Sequence, residues 1–225
     1  DDPVQLLQKA IKCIDKKPQA TYEHIASVLL TQMTAAAGIR KHREVAVNAL
    51  LKEFCQLDDE LVFEPLDAST LSREQKAAAL RSISLIKEKR CGKIKGRTCA
   101  DGRKQHLLYN KSDTSSPTIS LNALLMTLII DAKERWDVAT ADVVGAYLNV
   151  DMKDFVVLRM EAEAVDIMCK VNPKYKQYMV KEKGKRVLYL RLVKALYGCV
   201  QSTLLWYELF VSTLEPMGFE LNPYD

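Results

Sequence analysis

The stretch TADVVGAYLN, residues 140–149, sets a carboxylate at Asp142 and a phenol at Tyr147, with the small residues Gly145 and Ala146 between them. Two chemistries suit that spacing. In the plain one, Asp142 caps a helix that follows a strand. In the other it is a metal ligand, since Mg²⁺ takes hard oxygen donors, typically one or two carboxylates completed by phosphate oxygens and water. The carbonyl of Val143 would add a second oxygen, and the small residues would let a nucleotide approach the backbone. Tyr147 would then stand under the sugar and exclude a ribose 2′-hydroxyl. The pattern D-x-x-x-A-Y is short, and alone it leaves both chemistries open.

A second constellation is KALYGCVQS, residues 194–202, read as a strand that ends, turns at Gly198 and enters a helix. Gln201 falls at the helix start, where unpaired backbone N–H groups favour phosphate and a side-chain amide can reach a base or sugar. An ordinary helix cap is the simpler role for it. The third is CGKIKGRTCADGRKQ, residues 91–105, part of a very basic run. From Lys87 to Lys104 there are eight Lys or Arg against two acids, more than the net +4 of the whole chain, so the remainder is slightly acidic. Such a run is commonly a solvated face. Its alternation with Ile94 and glycines predicts a hairpin that presents the charges on one surface.

Several elements must position these residues. Residues 1–60 are helical in pattern: YEHIASVLLTQM and HREVAVNALLKEFCQL carry apolar residues at three- and four-residue spacing, with Val45, Ala49, Leu50, Phe54 and Leu57 on the expected buried face. Pro18 and Gly38 punctuate them. LVFEPLD (61–67) reads as a short strand. Ser72 with Gln75 is a capping-box signature opening a helix through KAAALRSISLIKEKR. SSPTISLNALLMTLIIDAKERW (115–136) starts with a serine cap and an early Pro117, and its expected buried stripe is Leu121, Leu124, Leu125, Leu128 and Ile129. DVATADVV reads as a strand with Val138, Thr140 and Asp142 on one face. FVVLRM (155–160) and RVLYLRLV (186–193) are further strands, and QSTLLWYELFVSTLEPMGF is a last helix ended by Pro216 and Gly218. The class is α+β. No glycine-rich phosphate loop follows a strand, which excludes a doubly wound nucleotide fold.

Composition bounds the rest. At 225 residues, 48% hydrophobic and 28% charged, the chain is an ordinary globular protein in one large or two small domains. The longest apolar run, LNALLMTLII, is about half of the ~20 residues that cross a bilayer, so no membrane association is expected. Six cysteines without a CxxC pair read as reduced thiols of an intracellular protein. The chain opens at Asp1 without a methionine or signal peptide and stops at NPYD after a helix and a turn, as though cut through a domain.

Taken in order, KGRTCADG (95–102), SSPT (115–118), ADVVGAYLNVDM (141–152) and LVKALYGCVQSTLLWYE (192–208) resemble the reverse transcriptase of copia-type LTR retrotransposons, over about residues 85–225. The family's counterparts look like KARLVARG, SP before a helix, MDVKTAFLNGDL and LKKSLYGLKQAPRAWYE. The resemblance implies a right-hand polymerase, with fingers plus partial palm over 61–225 and a helical N-terminal region over 1–60. It implies RNA- or DNA-templated DNA synthesis with two Mg²⁺ ions, Asp142 as first catalytic aspartate and, with Val143, metal ligand. Lys95, Arg97, Tyr147 and Gln201 become dNTP contacts, and Lys93, Arg103 and Lys104 nucleic-acid contacts. Asp137 also precedes a valine, but no aromatic follows it at the right distance. Asp101 stands where the family has a basic residue, and Cys199, Val200 and Ser202 depart from its L-K-Q-A-P. The implied partners are template–primer, dNTP and the remaining polyprotein, with integrase upstream and the rest of the palm and RNase H downstream. The particle or the nucleus is the implied location. The family's Y-V-D-D motif, expected after the W-Y-E helix, is not in this sequence, so the chain alone is expected not to polymerise. A non-catalytic nucleic-acid-binding remnant of such an element, or an unrelated helical scaffold, are the alternatives.

Overall fold

The computed structural model describes residues 32–89, 91–110 and 114–222; the expected helix over YEHIASVLL lies outside them. Among the described residues the centre is a seven-stranded mixed sheet. Its strands are β1 (Gln32–Thr34), β2 (Phe63–Leu66), β3 (Leu80–Glu88), β4 (Ile94–Ala100), β5 (Val157–Glu161), β6 (Val180–Glu182) and β7 (Lys185–Leu192). The order runs β1-β3-β5-β7-β2, with β4 also on β3 and β6 also on β7. All pairs are antiparallel except β3 with β5, where Leu80 faces Leu158 and Arg81 faces Arg159.

The larger core lies on one face of the sheet, where Leu80, Ile86, Leu158, Met160, Leu188, Leu190 and Leu192 are buried. On the other face Val157, Val187 and Tyr189 are buried in a smaller cluster with Ala68, Leu71 and Ala79. Helices α1 (Ala35–His42) and α2 (Glu44–Asp59) belong to the larger core. Helix α2 buries Ala46, Leu50, Phe54 and Leu57, while Val45, expected inside, is exposed: the buried stripe lies one position further round the helix. Gly38 does not punctuate. It sits buried inside α1, where a Cβ would come 2.5 Å from Cγ1 of Ile86, so the missing side chain lets helix and strand touch. Behind α2, Asp58 accepts hydrogen bonds from Tyr175 Oη and Asn172 Nδ2, both at 2.8 Å, binding it to the segment after helix α5 below.

The capping box at Ser72 forms as expected, Ser72 Oγ accepting from Gln75 N–H and Gln75 Oε1 from Ser72 N–H, but helix α3 (Arg73–Ala78) is only six residues long. The expected continuation through Glu88 is strand β3 instead, and Gln32 and Met33 join β1 rather than ending a helix. The reason is tertiary. From Leu80 onward the chain finds hydrogen-bonding neighbours on both edges, and strand preference follows such packing more than local propensity. A hairpin does form, but its first arm is β3, the segment expected to be helical, rather than both arms lying within 91–105; its turn and second strand carry basic residues.

Two expectations fail around Asp142. Helix α4 (Leu121–Glu134) exists, with Ser120 Oγ accepting from Ala123 N–H, but no residue of it is buried; Leu121, Leu124, Leu125, Leu128 and Ile129 are all exposed. DVATADVV is not a strand: residues 136–143 have neither helix nor strand, and turn and 3₁₀ structure begin only at Val144. A strand needs neighbouring N–H and C=O partners, and a stripe needs an apolar layer opposite it. Among the described residues neither is offered to this segment. Helix α5 (Glu163–Val171) buries Val165, Ile167, Met168 and Cys169, and helix α6 (Ser202–Leu214) closes the fold after the turn at Gly198.

Candidate functional site

Strand β4 carries the cations. Its even positions, Gly96, Thr98 and Ala100, are buried, while Lys95 and Arg97 are exposed. Gly96 is required by that packing: a Cβ would sit 2.7 Å from the carbonyl oxygen of Ala49 in α2. Beside it Glu53, also from α2, accepts a hydrogen bond from Thr98 N–H at 2.9 Å. Burial pushes the Glu53 carboxyl up from its ordinary range, while the Thr98 N–H and the charges of Lys95 and Arg97 pull the other way. The carboxylate thus ties the edge strand to α2 next to its two exposed cations.

The turn at Gly198 brings the second group. Ala100 N–H donates to the carbonyl of Tyr197 at 2.7 Å, so the end of β4 is fastened to the turn. The approach is close enough that a Cβ on Gly198 (φ +89°) would fall 2.0 Å from the Ala100 carbonyl oxygen, and one on Gly102 would fall 2.1 Å from that of Gly198. Buried Gln105 braces the far side, its Oε1 accepting from Val200 N–H at 3.1 Å. Tyr197 is therefore held with its ring 6.0 Å from the Arg97 guanidinium and 4.6 Å from the ring of Tyr147. Burial, with Tyr197 beside it, raises the Tyr147 phenol above the usual tyrosine range, so it is neutral at pH 7.

Lys95, Arg97, Val144, Gly145 and Tyr197 line one small cavity of about 70 Å³ together with Glu53. Segments from four separate parts of the sequence converge there, and Tyr147 joins them through its ring contact. Lys93 lies alongside, in a cavity of about 200 Å³ against α2 that also includes Lys95. Arg103 and Lys104 are elsewhere, in a wider groove beyond the end of β4. Gln201 is no cap: its backbone is already helical and its side chain makes no capping bond. Its Oε1 is buried without a hydrogen-bond partner among the described residues, a state that ordinarily costs about 1–3 kcal/mol. Asp142 is exposed and does not line the cavity, which begins two residues further on at Val144. No group of three or more His, Cys, Asp or Glu among the described residues could hold a metal ion. One carboxylate and a neighbouring carbonyl, Asp142 and Val143, do not make a Mg²⁺ site on their own.

Three residues of this neighbourhood escaped the sequence reading. Tyr197 was visible only as part of a turn motif. Glu53 stands among five carboxylates of α2 and its flanks, and only its burial against β4 distinguishes it. Gln105 closes a basic run that conceals its polar, uncharged role. Asp101, where a basic residue was expected, is paired with Arg103 at 2.6 Å, and that guanidinium holds its carboxyl down at about 2. Among the described residues the cysteines at 55, 91, 99, 169 and 199 are free. No helix among the described residues is long and apolar enough to cross a membrane.

Strands β3 to β7, the basic hairpin and the turn at Gly198 all fall within the part of the chain that comparison identifies: residues 66–225 match the reverse transcriptase (RNA-dependent DNA polymerase) family, and the chain belongs to it. It is a copia-type reverse transcriptase domain of a retrotransposon polyprotein. The chain is 25% identical over 174 residues to the Transposon Ty1-DR4 Gag-Pol polyprotein of Saccharomyces cerevisiae, covering 77% of this chain and 10% of that protein. The Ty1-DR6 Gag-Pol polyprotein of the same yeast is also 25% identical over 174 residues, covering 77% of this chain and 9% of the relative. The chain thus spans about a tenth of the length of the curated relatives it matches. No solved structure matches it.

Proposed function

We propose that this chain forms the fingers and part of the palm of a reverse transcriptase, over residues 61–225, with helices α1 and α2 preceding the fingers. The reaction is RNA- or DNA-templated DNA synthesis, in which a primer 3′-hydroxyl attacks the α-phosphate of a dNTP and pyrophosphate leaves. The observation that carries this reading is the convergence of Lys95 and Arg97 with Gly145 and Tyr197 at one cavity, with the ring of Tyr147 tilted against that of Tyr197. Lys95 and Arg97 bind the triphosphate; the guanidinium offers paired donors that match phosphate oxygens. Tyr147 excludes the ribose 2′-hydroxyl. Gln201, with its unsatisfied buried oxygen at the start of α6, takes a donor from the nucleotide or the primer–template.

The cofactor of this reading is Mg²⁺, two ions in the complete enzyme. Asp142 and the Val143 carbonyl are this chain's contribution to them. Those two groups fall short of a two-ion site, so further carboxylates come from elsewhere in the polyprotein, and this chain alone does not polymerise. What it supplies is the positioning of triphosphate and sugar. The partners are template–primer, dNTP and the remaining polyprotein, inside the cell.

The test uses a longer polyprotein segment that extends a primer. Arg97→Ala should raise the KM for dNTP roughly 10- to 100-fold, the loss of one charge-assisted contact of about 1.5–3 kcal/mol. Tyr147→Ala should raise ribonucleotide incorporation, and Asp142→Asn should abolish extension with primer–template binding nearly intact. An unchanged KM for Arg97→Ala would remove the cavity from the active site, and binding without any extension by the unaltered segment would point to a non-catalytic remnant.

A further inference from the structure

The wall of the proposed active site holds a carboxylate to which the reaction as described gives no part. Helix α2 ends at Asp59, before the family segment opens at residue 66, yet it closes one side of the site. Ala49, Glu53 and Gln56 follow one another at helical spacing along the ridge that meets β4. Two cavities lie along that ridge, of about 200 Å³ and about 70 Å³. Glu53, Gln56 and Lys95 line both, so Glu53 stands at their partition. On one side of it are Lys52, Lys89 and Lys93, on the other Arg97. Among the described residues Glu53 is the one carboxylate lining either cavity.

Its setting is not that of an ion pair. Glu53 accepts from the backbone N–H of Thr98, a residue only 1% exposed, and among the described residues no salt bridge reaches it. Burial raises its carboxyl, and the fields of Lys95 and Arg97 do not make up the difference. A buried N–H is satisfied by any neutral acceptor of the same length, glutamine included, without the cost of burying a charge. A carboxylate at this position therefore bears on more than Thr98. It stands beside both cations of β4, and no ion pair of its own neutralises it.

We infer that Glu53 is a positioning residue of the triphosphate site, acting through Lys95 and Arg97 in two ways. Its bond to Thr98 fixes the strand that carries both cations, and its charge is the counter-ion with which an incoming polyphosphate competes. The inference deepens the proposed function and rests on it for the identity of that polyphosphate. A triphosphate or pyrophosphate meets cations that are already partly neutralised, so it binds less tightly and leaves sooner than bare cations would allow. Helix α2 thereby sets the affinity of a site whose phosphate-binding side chains all lie on β4.

Isothermal titration of inorganic tripolyphosphate into the 225-residue chain tests this without primer or template. Glu53→Gln is isosteric, keeps an acceptor for Thr98 N–H and loses the charge. It should tighten binding roughly 3- to 10-fold at about 0.1 M salt, the effect of one like charge removed beside the probe at surface-like dielectric. A purely structural tie predicts unchanged or weaker binding in that variant, and either result overturns the inference. Glu53→Ala loses bond and charge together and should bind more weakly than Glu53→Gln; equal affinities would overturn the positioning of β4. The ratio of the parent's Kd to that of Glu53→Gln should fall as pH is lowered from about 8 to about 5, because the raised carboxyl takes up its proton and the two become alike. Lys95, Arg97 and Cys99 of β4, Lys52 of α2, Lys89 and Lys93 of the hairpin and Tyr197 of the turn face Glu53 or its cavities. Each ratio is taken at one pH, so their titration and that of the probe cancel. A ratio constant over the range overturns the inference. Arg97→Ala tells two failures apart. If it leaves tripolyphosphate binding unchanged, the cavity is no phosphate site and the proposed function falls together with the inference. If it weakens binding while Glu53→Gln changes nothing, the inference alone falls.

Discussion

Replacing Gly198 by alanine, with Gly184→Ala as its control, separates two costs that ordinarily arrive together. Both glycines lie at strongly positive φ, +89° and +78°. An alanine at either pays the left-handed penalty of about 1–2 kcal/mol. At Gly184 that is the whole effect, since nothing lies within 4 Å of the added Cβ. At Gly198 the Cβ would fall 2.0 Å from the carbonyl oxygen and 3.0 Å from the carbonyl carbon of Ala100. Those are backbone atoms of an edge strand held by the Ala100 N–H to Tyr197 bond, so no rotamer change relieves the overlap. Overpacking of this kind adds about 1–3 kcal/mol, giving a total of roughly 2–5 for Gly198→Ala. Urea unfolding followed by circular dichroism measures both variants, with midpoints compared at equal slope. Equal losses in the two would mean that the turn and β4 do not press together as described, and the positioning of Tyr197 over Arg97 would lose its cause. Gly198→Ala should also weaken dNTP binding in the longer segment while Gly184→Ala does not.

Tyr175→Phe removes a buried hydroxyl that donates to Asp58 at 2.8 Å, and should cost about 1.5–3 kcal/mol in the same unfolding assay. Burial and the Asp58 carboxylate raise the Tyr175 phenol above its ordinary value near 10, so the folded state favours its neutral form. The stabilisation is complete below the unfolded pKa and is lost as pH rises from about 10 toward the folded value. The parent should therefore lose stability over that alkaline window more steeply than Tyr175→Phe; identical pH profiles would refute the assignment. Ser72→Ala breaks a capping box on a helix of six residues and should lower stability by about 0.5–2 kcal/mol, whereas a thermal shift near zero would mean the box does not form in solution. Leu125→Lys and Ile130→Lys touch only exposed positions of α4, so each should alter stability by less than about 0.5 kcal/mol and reduce binding of an apolar dye. A loss of several kcal/mol would show those side chains to be buried in solution.

The parts of this fold visible in the sequence are those where local pattern and tertiary packing agree. FVVLRM and RVLYLRLV are rich in β-branched residues and became the central strands β5 and β7; the apolar spacing of α2 gave its buried face with a shift of one position. Where packing overrules the local signal, the reading fails. LRSISLIKE continues a helical pattern begun at a sound capping box, yet it becomes β3 because strands lie ready on both edges. Around Asp142 the opposite holds: an apolar alternation that looks like a strand has no neighbour among the described residues to pair with, and remains without regular structure. For the candidate site, Lys95 and Arg97 were named only through the family resemblance, since the basic run by itself reads equally as a solvated face; both are exposed on β4. Glu53 and Gln105 were not legible, since their part depends on which backbone N–H each meets across the fold, at Thr98 and at Val200.

The bareness of Gly96 has a mechanical consequence. With no side chain between them, the backbone of β4 lies directly on the backbone of α2, and Glu53 clasps the next turn of that contact at Thr98. Gly38 brings α1 close to β3 as well, though there the neighbour is the Ile86 side chain. Sliding one layer over another requires a cushion of side chains that can change rotamer, and at Gly96 there is none. The basic hairpin therefore moves together with α2, and a residue buried in α2 governs its reach as directly as one at the hairpin's own turn.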